Sequence, residues 1–406
     1  MTPGPSATLS NPLGLAGDEV GTNPHPIYAG LRENSPVLHV DGVGTLVSSW
    51  ALVDEVLDDV GLFSSALTAG DLKNERPLIP LQIDPPEHRK FRRILDPLFS
   101  PKRMKQREGD VEDLVHRLID GFAGSPEIDF VADFSVPFPS QVFLTMLGLP
   151  VAELPRFLAM KDGIIRPDAV VGKPYDHPEV QAHQRATARS IYDYFDGVIA
   201  SRRGQGGDDL MSHFLSAEID GERLSHDDIL DICFLFLIAG LDTVSASLDC
   251  FFKHLIDNPA LRRAITDDPD LVPAVVEELL RWETPVMVVP RAATRDTVLG
   301  GCPIRTGERV LVMLGAANTD GSAEPGNESP EFSRKIKRHF GFGGGPHRCL
   351  GSHLARVELQ MALRVWHRRV PDYALKPGAE LRFTTGVRAA HAFPMTLGPV
   401  LPRGYP

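Results

Sequence analysis

The chain has 406 residues, 42% of them hydrophobic, and 54 acidic residues against 42 basic ones give a net charge of −12. That is enough apolar mass for one large core around a cofactor, or for two or three ordinary domains, and the negative balance excludes a generally nucleic-acid-binding protein. The four cysteines, Cys233, Cys250, Cys302 and Cys349, are far apart with no Cys-x-x-Cys pair, which excludes a disulfide framework and fits a reducing, cytoplasmic setting.

Residues 1–22 are rich in Pro, Gly, Ser and Thr and lack the basic start and apolar stretch of a signal peptide, so a poorly ordered leader is expected before a single domain over 23–406. The longest apolar run, 232–241, falls short of the ~20 residues a membrane-spanning helix needs, so no membrane anchor is expected. A short helix leads into a strand near 37–47, and a helix follows over 50–60. Residues 64–82 show little periodicity and read as a long functional loop.

Asp84-Pro85-Pro86-Glu87-His88 opens the next helix, with Asp84 at a capping position and proline in the first turn. His88 and Arg92 lie one turn apart, so both can reach one anion; a solvated basic face is the other reading. Arg89, Lys90, Arg93, Lys102, Arg103, Lys105 and Arg107 form a basic cluster in an acidic chain. Residues 108–200 read as helices broken near Pro137–Pro139, Pro150 and Pro167. Residues 162–182 lack periodicity and read as a lid. Asp208-Asp209 reads as a helix cap.

Ser225 and Asp228 have capping-box spacing, opening a helix that Asn258-Pro259 ends. Such a helix would be roughly 50 Å long and cross the whole molecule. Its middle, Ala239-Gly240-Leu241-Asp242-Thr243, works against simple packing: the glycine costs about 1 kcal/mol against alanine, and a buried Asp242 needs a partner. A kink with a capped acid and a functional groove both fit. Leu235, Ile238, Ala239, Asp242 and Thr243 share one face. Over 271–283 a further helix sets Glu278 and Arg281 side by side. Strands are expected at 286–289, 297–299 and 310–313, with Arg291 after the first, and at 382–401 with a turn at Phe393-Pro394.

The stretch from Phe342 to Gly351 places Cys349 behind a glycine-rich turn and ahead of a helix that starts after Gly351. A helix N-terminus favours a thiolate over a thiol. A phosphate loop is disfavoured because no Gly-Lys-Ser/Thr follows, and a zinc site on His347, Cys349 and His353 lacks a second ligand pair. An inert buried thiol is the remaining alternative.

The spacing Phe-x-x-Gly-x-x-x-Cys-x-Gly, met by Phe342, Gly345, Cys349 and Gly351, resembles the haem-binding loop of the cytochrome P450 monooxygenases. Three more motifs resemble that family in the right order between about residues 24 and 400. They are Asp-Pro-Pro-Glu-His-x-x-x-Arg at 84–92, Ala-Gly-x-Asp-Thr at 239–243 and Glu-x-x-Arg at 278–281. The resemblance implies a mainly α fold with small β-sheets, and haem b held between a long central helix and the helix that follows the cysteine. It implies Cys349 as thiolate ligand, with Phe342, Gly343, Gly351 and Ala239 around the haem and His88, Arg92, Arg291 and His347 on its propionates. Asp242 and Thr243 would relay protons, and a third basic residue, Arg334, would join a structural Glu278–Arg281 pair. Leu235, Ile238, Ala239, Met287 and Val288 would line a pocket for a hydrophobic small molecule.

The implied partners are O2 and a ferredoxin with its reductase, because no flavin or iron–sulfur motif is fused to the chain. The basic segments 89–107 and 334–338 and Arg348 would meet the acidic donor of a monomeric enzyme. A haem peroxygenase or isomerase and a haem-based sensor are the alternatives; neither needs the Asp242–Thr243 pair. Ala317-Asn318-Thr319-Asp320-Gly321 departs from the family's more usual Asn-Arg-Asp-Pro, which bears on that loop and not on the haem.

Overall fold

In a computed structural model, residues 18–66, 72–219, 221–334 and 338–404 are described. Helices dominate, and the two sheets of three or more strands are small. The larger runs Val37–Val40, Gly44–Val47, Arg309–Met313, Val288–Ala293, Phe63–Ser64, with one parallel pairing, Gly44–Val47 on Arg309–Met313. The other joins Tyr373–Leu375, Pro394–Leu397 and Glu127–Asp129. The main apolar cluster lies among the helices, and two smaller ones lie under the larger sheet.

Several boundaries differ from the sequence reading. Residues 1–17 lie outside the described residues, but Asp18–Thr22, expected as the end of a leader, is helical. Val20 is buried and Arg388 Nε donates to the Gly21 carbonyl at 2.6 Å, so this turn is tied to the fold. The strand expected over 37–47 is a hairpin. The helices of 108–200 are broken at the expected prolines: Pro137 and Pro167 open the new helices Pro137–Leu147 and Pro167–Val171, where the missing N–H costs nothing, and Pro150 lies between Pro137–Leu147 and Leu154–Ile165. In the tail, Phe393-Pro394 is no turn, because Pro394 begins the strand Pro394–Leu397.

The central helix forms as its capping box requires. Asp228 N donates to Ser225 Oγ at 3.0 Å, and Ser225 N donates to Asp228 Oδ2 at 2.9 Å. Every residue from Ile229 to Ile238 is buried. The helix is not continuous: it runs His226–Gly240, breaks at Leu241 and Asp242, and resumes as Thr243–Asp257. The stretch 226–257 is long and apolar enough to cross a bilayer by length and composition, yet 83% of its most apolar window is buried inside the protein, as in a core helix.

Candidate functional site

The loop 340–351 is a set of tight turns locked by its own backbone. Gly343 N donates to Phe340 O at 2.8 Å, Arg348 N to Gly345 O at 3.1 Å and Cys349 N to Phe342 O at 2.9 Å. Gly345 needs its glycine twice over: its φ is +59°, and a Cβ there would sit 2.1 Å from the Leu57 carbonyl oxygen. Arg92 Nη1 ties the loop from outside by donating to the Arg348 carbonyl at 2.8 Å. The helix Ser352–Arg369 follows directly.

Cys349 is exposed. Burial of its sulfur among protein atoms nevertheless pushes the thiol pKa up, against the pull of the Gly351 N–H and of Arg92, Arg348 and Arg356. An iron cation held at the sulfur would favour the thiolate.

The loop is held in place by an anchor reaching back to the helix Val272–Glu283. Arg281 donates to Glu278 through Nε at 2.8 Å and Nη2 at 2.6 Å. It also donates to the carbonyls of Asn318, Asn327 and Ser329 at 2.7, 2.9 and 3.0 Å. Arg334 Nη2 stands 3.6 Å from Glu278 Oε1. Asn318, from the divergent segment 317–321, accepts from Phe340 N at 2.6 Å and so links this anchor to the cysteine loop.

A second group gathers orphaned donors. His88 and His347 pack at 4.4 Å between ring centroids. Both ring nitrogens of His88, Nε2 of His347 and Nε of Arg291 are buried without a hydrogen-bond partner. Asp84 Oδ1 approaches His347 Nε2 at 3.4 Å without completing a hydrogen bond. Asp84 does not cap the helix Glu87–Leu95; it accepts from Ser64 Oγ and, at 3.1 Å, from Ser65 N. Burial lowers the pKa of His88, takes His347 down to about 4 and takes Arg291 down to about 10. Buried donors in this number without acceptors fit an anionic group of a ligand. Arg92 is only partly available to it, since its Nε donates to Asp96 at 2.6 Å.

The third group lies at the break in the central helix. Ala239 is exposed and Gly240 and Thr243 half-exposed, in the middle of an otherwise buried helix. Thr243 Oγ1 donates to the Ala239 carbonyl at 3.1 Å, so its oxygen lone pairs remain open to a donor. A Cβ on Gly240 would meet the Phe143 ring at 2.6 Å, so this glycine serves close packing on its other side.

Asp242 is 3% exposed and bound by two cations that the sequence reading missed. Lys161 Nζ is 3.1 Å from Oδ1, and Arg166 makes a two-pronged contact. Burial pushes the Asp242 pKa up, but Lys161 and Arg166 outweigh it and hold the carboxyl below its usual range. No local signal marked them, since Lys161 and Arg166 do not have the i, i+3 or i, i+4 spacing of one helix face. The segment expected as a lid, 162–182, is largely helical, and its first residues carry this contact.

Leu235 and Ile238 are buried about two turns and one turn before the break, respectively. Met287 is buried in the cluster beneath the N-terminal helix His25–Asn34, with Val288 half-buried against the same cluster. Met287 and Val288 thus pack in a different apolar cluster from Leu235 and Ile238. Among the described residues no three His, Cys, Asp or Glu side chains converge as metal ligands, so His347, Cys349 and His353 do not form a zinc site.

Residues 45–366 match the family model described as "Cytochrome P450". A probable cytochrome P450 127A1 of Sinorhizobium fredii is 34% identical over 367 residues, covering 88% of this chain and 85% of the relative. A mycinamicin IV hydroxylase/epoxidase of Micromonospora griseorubida is 33% identical over 373 residues, covering 89% and 91%. Among solved structures, a cytochrome P450 from Chondromyces apiculatus superposes with a TM-score of 0.84 at 30% identity, covering 95% of this chain and 97% of that one.

Proposed function

The chain belongs to the cytochrome P450 family and is a haem-thiolate monooxygenase, and from that premise we propose that it inserts one atom of O2 into a largely apolar small molecule, using electrons from a ferredoxin and its reductase. The observation that carries this reading is the pairing of an accessible Cys349 on a locked loop with the orphaned donors of His88, His347 and Arg291. A flat, dianionic iron porphyrin has a use for both. Haem b fits better than a covalently attached haem, since the sequence has no Cys-x-x-Cys pair. Once bound through Cys349, it supplies the electron-rich iron that splits the O–O bond.

The protein's own part is position and protons. The Glu278–Arg281 anchor fixes the loop that presents the sulfur. His88 and His347 orient the group through their ring N–H donors, and the Arg291 guanidinium offsets the charge of its carboxylates. Thr243, with its hydroxyl proton given to Ala239, offers an acceptor oxygen at the helix break, and Asp242 is the nearest buried acid along the chain. Leu235 and Ile238 make the approach apolar, so a substrate with a large apolar part is favoured. The relative named mycinamicin IV hydroxylase/epoxidase is likewise named for a small-molecule substrate.

Lys102, Lys105, Arg89, Arg93 and Arg348 are exposed and suit an acidic donor. Arg103 is already engaged by Asp208, at 3.1 Å, and by His213, so it contributes less than the sequence suggested. Residues 335–337 of the second basic segment lie outside the described residues.

Two measurements test the reading. The reduced, carbon monoxide-bound protein should show the red-shifted Soret band of a thiolate-ligated haem, and apolar candidates should shift the resting spectrum. Reduction by a ferredoxin should slow with rising salt, and Lys105→Glu should flatten that dependence while leaving ligand binding unchanged. A normal Soret position would refute the thiolate assignment.

A further inference from the structure

Asp231 lies one turn before Leu235 on the central helix and is 3% exposed. A carboxylate buried in so apolar a helix needs partners, and they come from two other elements. Arg76 Nε donates to Oδ2 at 2.9 Å, and the Tyr192 hydroxyl donates to Oδ1 at 3.1 Å. Arg76 also lies over the Tyr192 ring, 5.2 Å from its centroid, and Nη2 is 3.7 Å from Asp227. One guanidinium therefore connects the loop 72–86, the helix Pro178–Arg202 and the central helix.

The loop it belongs to is pre-shaped. Gln82 Oε1 accepts from Asn74 Nδ2 at 2.8 Å and from Leu78 N at 2.9 Å, and Leu78 and Ile79 are buried in the main cluster. Its far end carries Asp84 and then His88. A loop folded on itself moves as a unit, and Arg76 is its charged tie to the two helices. Asp231 and Asp242 are two buried acids of one stripe, about three helical turns or about 16 Å apart. Asp242 is tied to the end of the helix Leu154–Ile165, and Asp231 to the loop 72–86 and Tyr192. The apolar positions Leu235, Ile238 and Ala239 lie between these two posts.

We propose that Arg76 is a positioning residue: by clamping the loop 72–86 and Tyr192 onto Asp231, it sets how wide the apolar site opens on the loop side, and so discriminates among ligands by size. The proposal takes its spectroscopic readout from the haem-thiolate reading above, but not its geometry. Removing the clamp should relax the passage for bulky ligands and leave small ones unaffected. A purely structural role would instead alter all ligands alike, or only lower stability.

The test uses the full-length, haem-loaded protein and three azoles of increasing bulk: imidazole, 4-phenylimidazole and a triphenylmethyl-imidazole. Association is followed by the Soret shift in the parent, Arg76→Met, Arg76→Lys and Tyr192→Phe. In Arg76→Met the bulkiest azole should associate roughly tenfold faster, with imidazole unchanged. Tyr192→Phe should move in the same direction by less, and Arg76→Lys should restore part of the discrimination. Amide exchange should rise in 72–86 and 188–196 and stay constant in 340–351. Equal acceleration for all three azoles, or unchanged size dependence with unchanged exchange, overturns the proposal. If Arg76→Met does not fold, Tyr192→Phe decides by the same criteria. A parent showing no Soret shift with imidazole contradicts the haem reading and not the clamp, which amide exchange then decides alone.

Discussion

Arg166 grips Asp242 with both ends of its guanidinium, Nη1 at 2.9 Å from Oδ1 and Nη2 at 2.8 Å from Oδ2. Two-pronged, charge-assisted contacts of this kind are strong and directional. With Lys161 on the same carboxylate, Asp242 is held ionised, so the proton relay proposed for it requires these contacts to loosen. Arg166→Met leaves Lys161 as the remaining partner, so the loss of stability should be about 2 kcal/mol, below the ~3–5 kcal/mol of a sole buried partner. Freeing the carboxylate should reduce the solvent isotope effect on turnover, whereas Asp242→Asn should slow turnover and enlarge it. Urea unfolding and turnover in H2O and D2O measure the two effects. Isotope effects that change in the same direction in both variants would refute the assignment of Asp242 as the group that is held and released.

Cys349 should be the only sulfur that matters to the haem. Cys233 and Cys250 are buried, and burial pushes both thiols up, Cys250 to about 12. Cys302 sits half-exposed in the strand Cys302–Ile304. Cys349→His should lose the thiolate spectrum, while alanine at any of the other three should keep it. A thiolate spectrum surviving in Cys349→His would end the ligand assignment.

Arg281→Lys is predicted to be as damaging as removal of the side chain. Arg281 is 2% exposed and fills its position with five contacts, two to Glu278 and three to carbonyls of the segment leading to the cysteine loop. A lysine ammonium has three donors and cannot reproduce the planar fork. At least two of these five acceptors would lose a donor, at about 1–3 kcal/mol each. The measurable result is loss of soluble, haem-loaded protein; a well-folded Arg281→Lys variant with full haem content would contradict it.

The sequence carried the helix order, the capping box at Ser225 and the family motifs, because each depends on local spacing. It also pointed to Arg334, which the structure places 3.6 Å from Glu278. What it could not carry were partners distant along the chain. Lys161 and Arg166 meet Asp242 across more than seventy residues, Arg76 meets Asp231 across more than a hundred and fifty, and Phe143 presses on Gly240 from another helix. The strand Glu127–Asp129 was missed for the same reason, since it is defined by pairing with Pro394–Leu397 and has little alternation of its own.

Mild acid should destabilise the fold through a buried histidine. His367 is 1% exposed, and its two nitrogens meet the Leu363 carbonyl at 2.7 Å and the Tyr373 hydroxyl at 3.0 Å, partners that a neutral ring satisfies with Nδ1–H donating to the carbonyl and Nε2 accepting from the hydroxyl. Burial lowers its pKa to about 4. The unfolded chain thus takes up a proton below about pH 6.5 that the native state refuses, so this stability is present above that pH and is lost as pH falls toward 4. The contribution is on the order of 3 kcal/mol. His367→Gln should have a smaller drop in melting temperature between pH 7 and pH 5 than the parent. Equal drops would show that His367 is not the group responsible.

Thr243 sits where the central helix resumes, and its hydroxyl is the one side-chain group that the break leaves half-exposed between Asp242 and Val244. Its proton goes to the Ala239 carbonyl at 3.1 Å, which turns the oxygen lone pairs outward as acceptors. Ser247 and Ser245, one turn on, spend their hydroxyls on the carbonyls of Thr243 and Asp242 at 2.8 and 2.9 Å and are buried, so neither can substitute. Thr243→Ala removes the acceptor without touching Cys349, His88, His347 or Arg291. Haem content, azole binding and electron uptake should therefore match the parent. Proton delivery should not, and electrons taken from the nicotinamide cofactor should leave as hydrogen peroxide in place of hydroxylated product. Thr243→Ser, which keeps the hydroxyl, should recover much of the coupling. The measurement is product and peroxide formed per nicotinamide oxidised, with a ferredoxin and its reductase supplied. Coupling in Thr243→Ala equal to the parent's would place proton delivery elsewhere in the site.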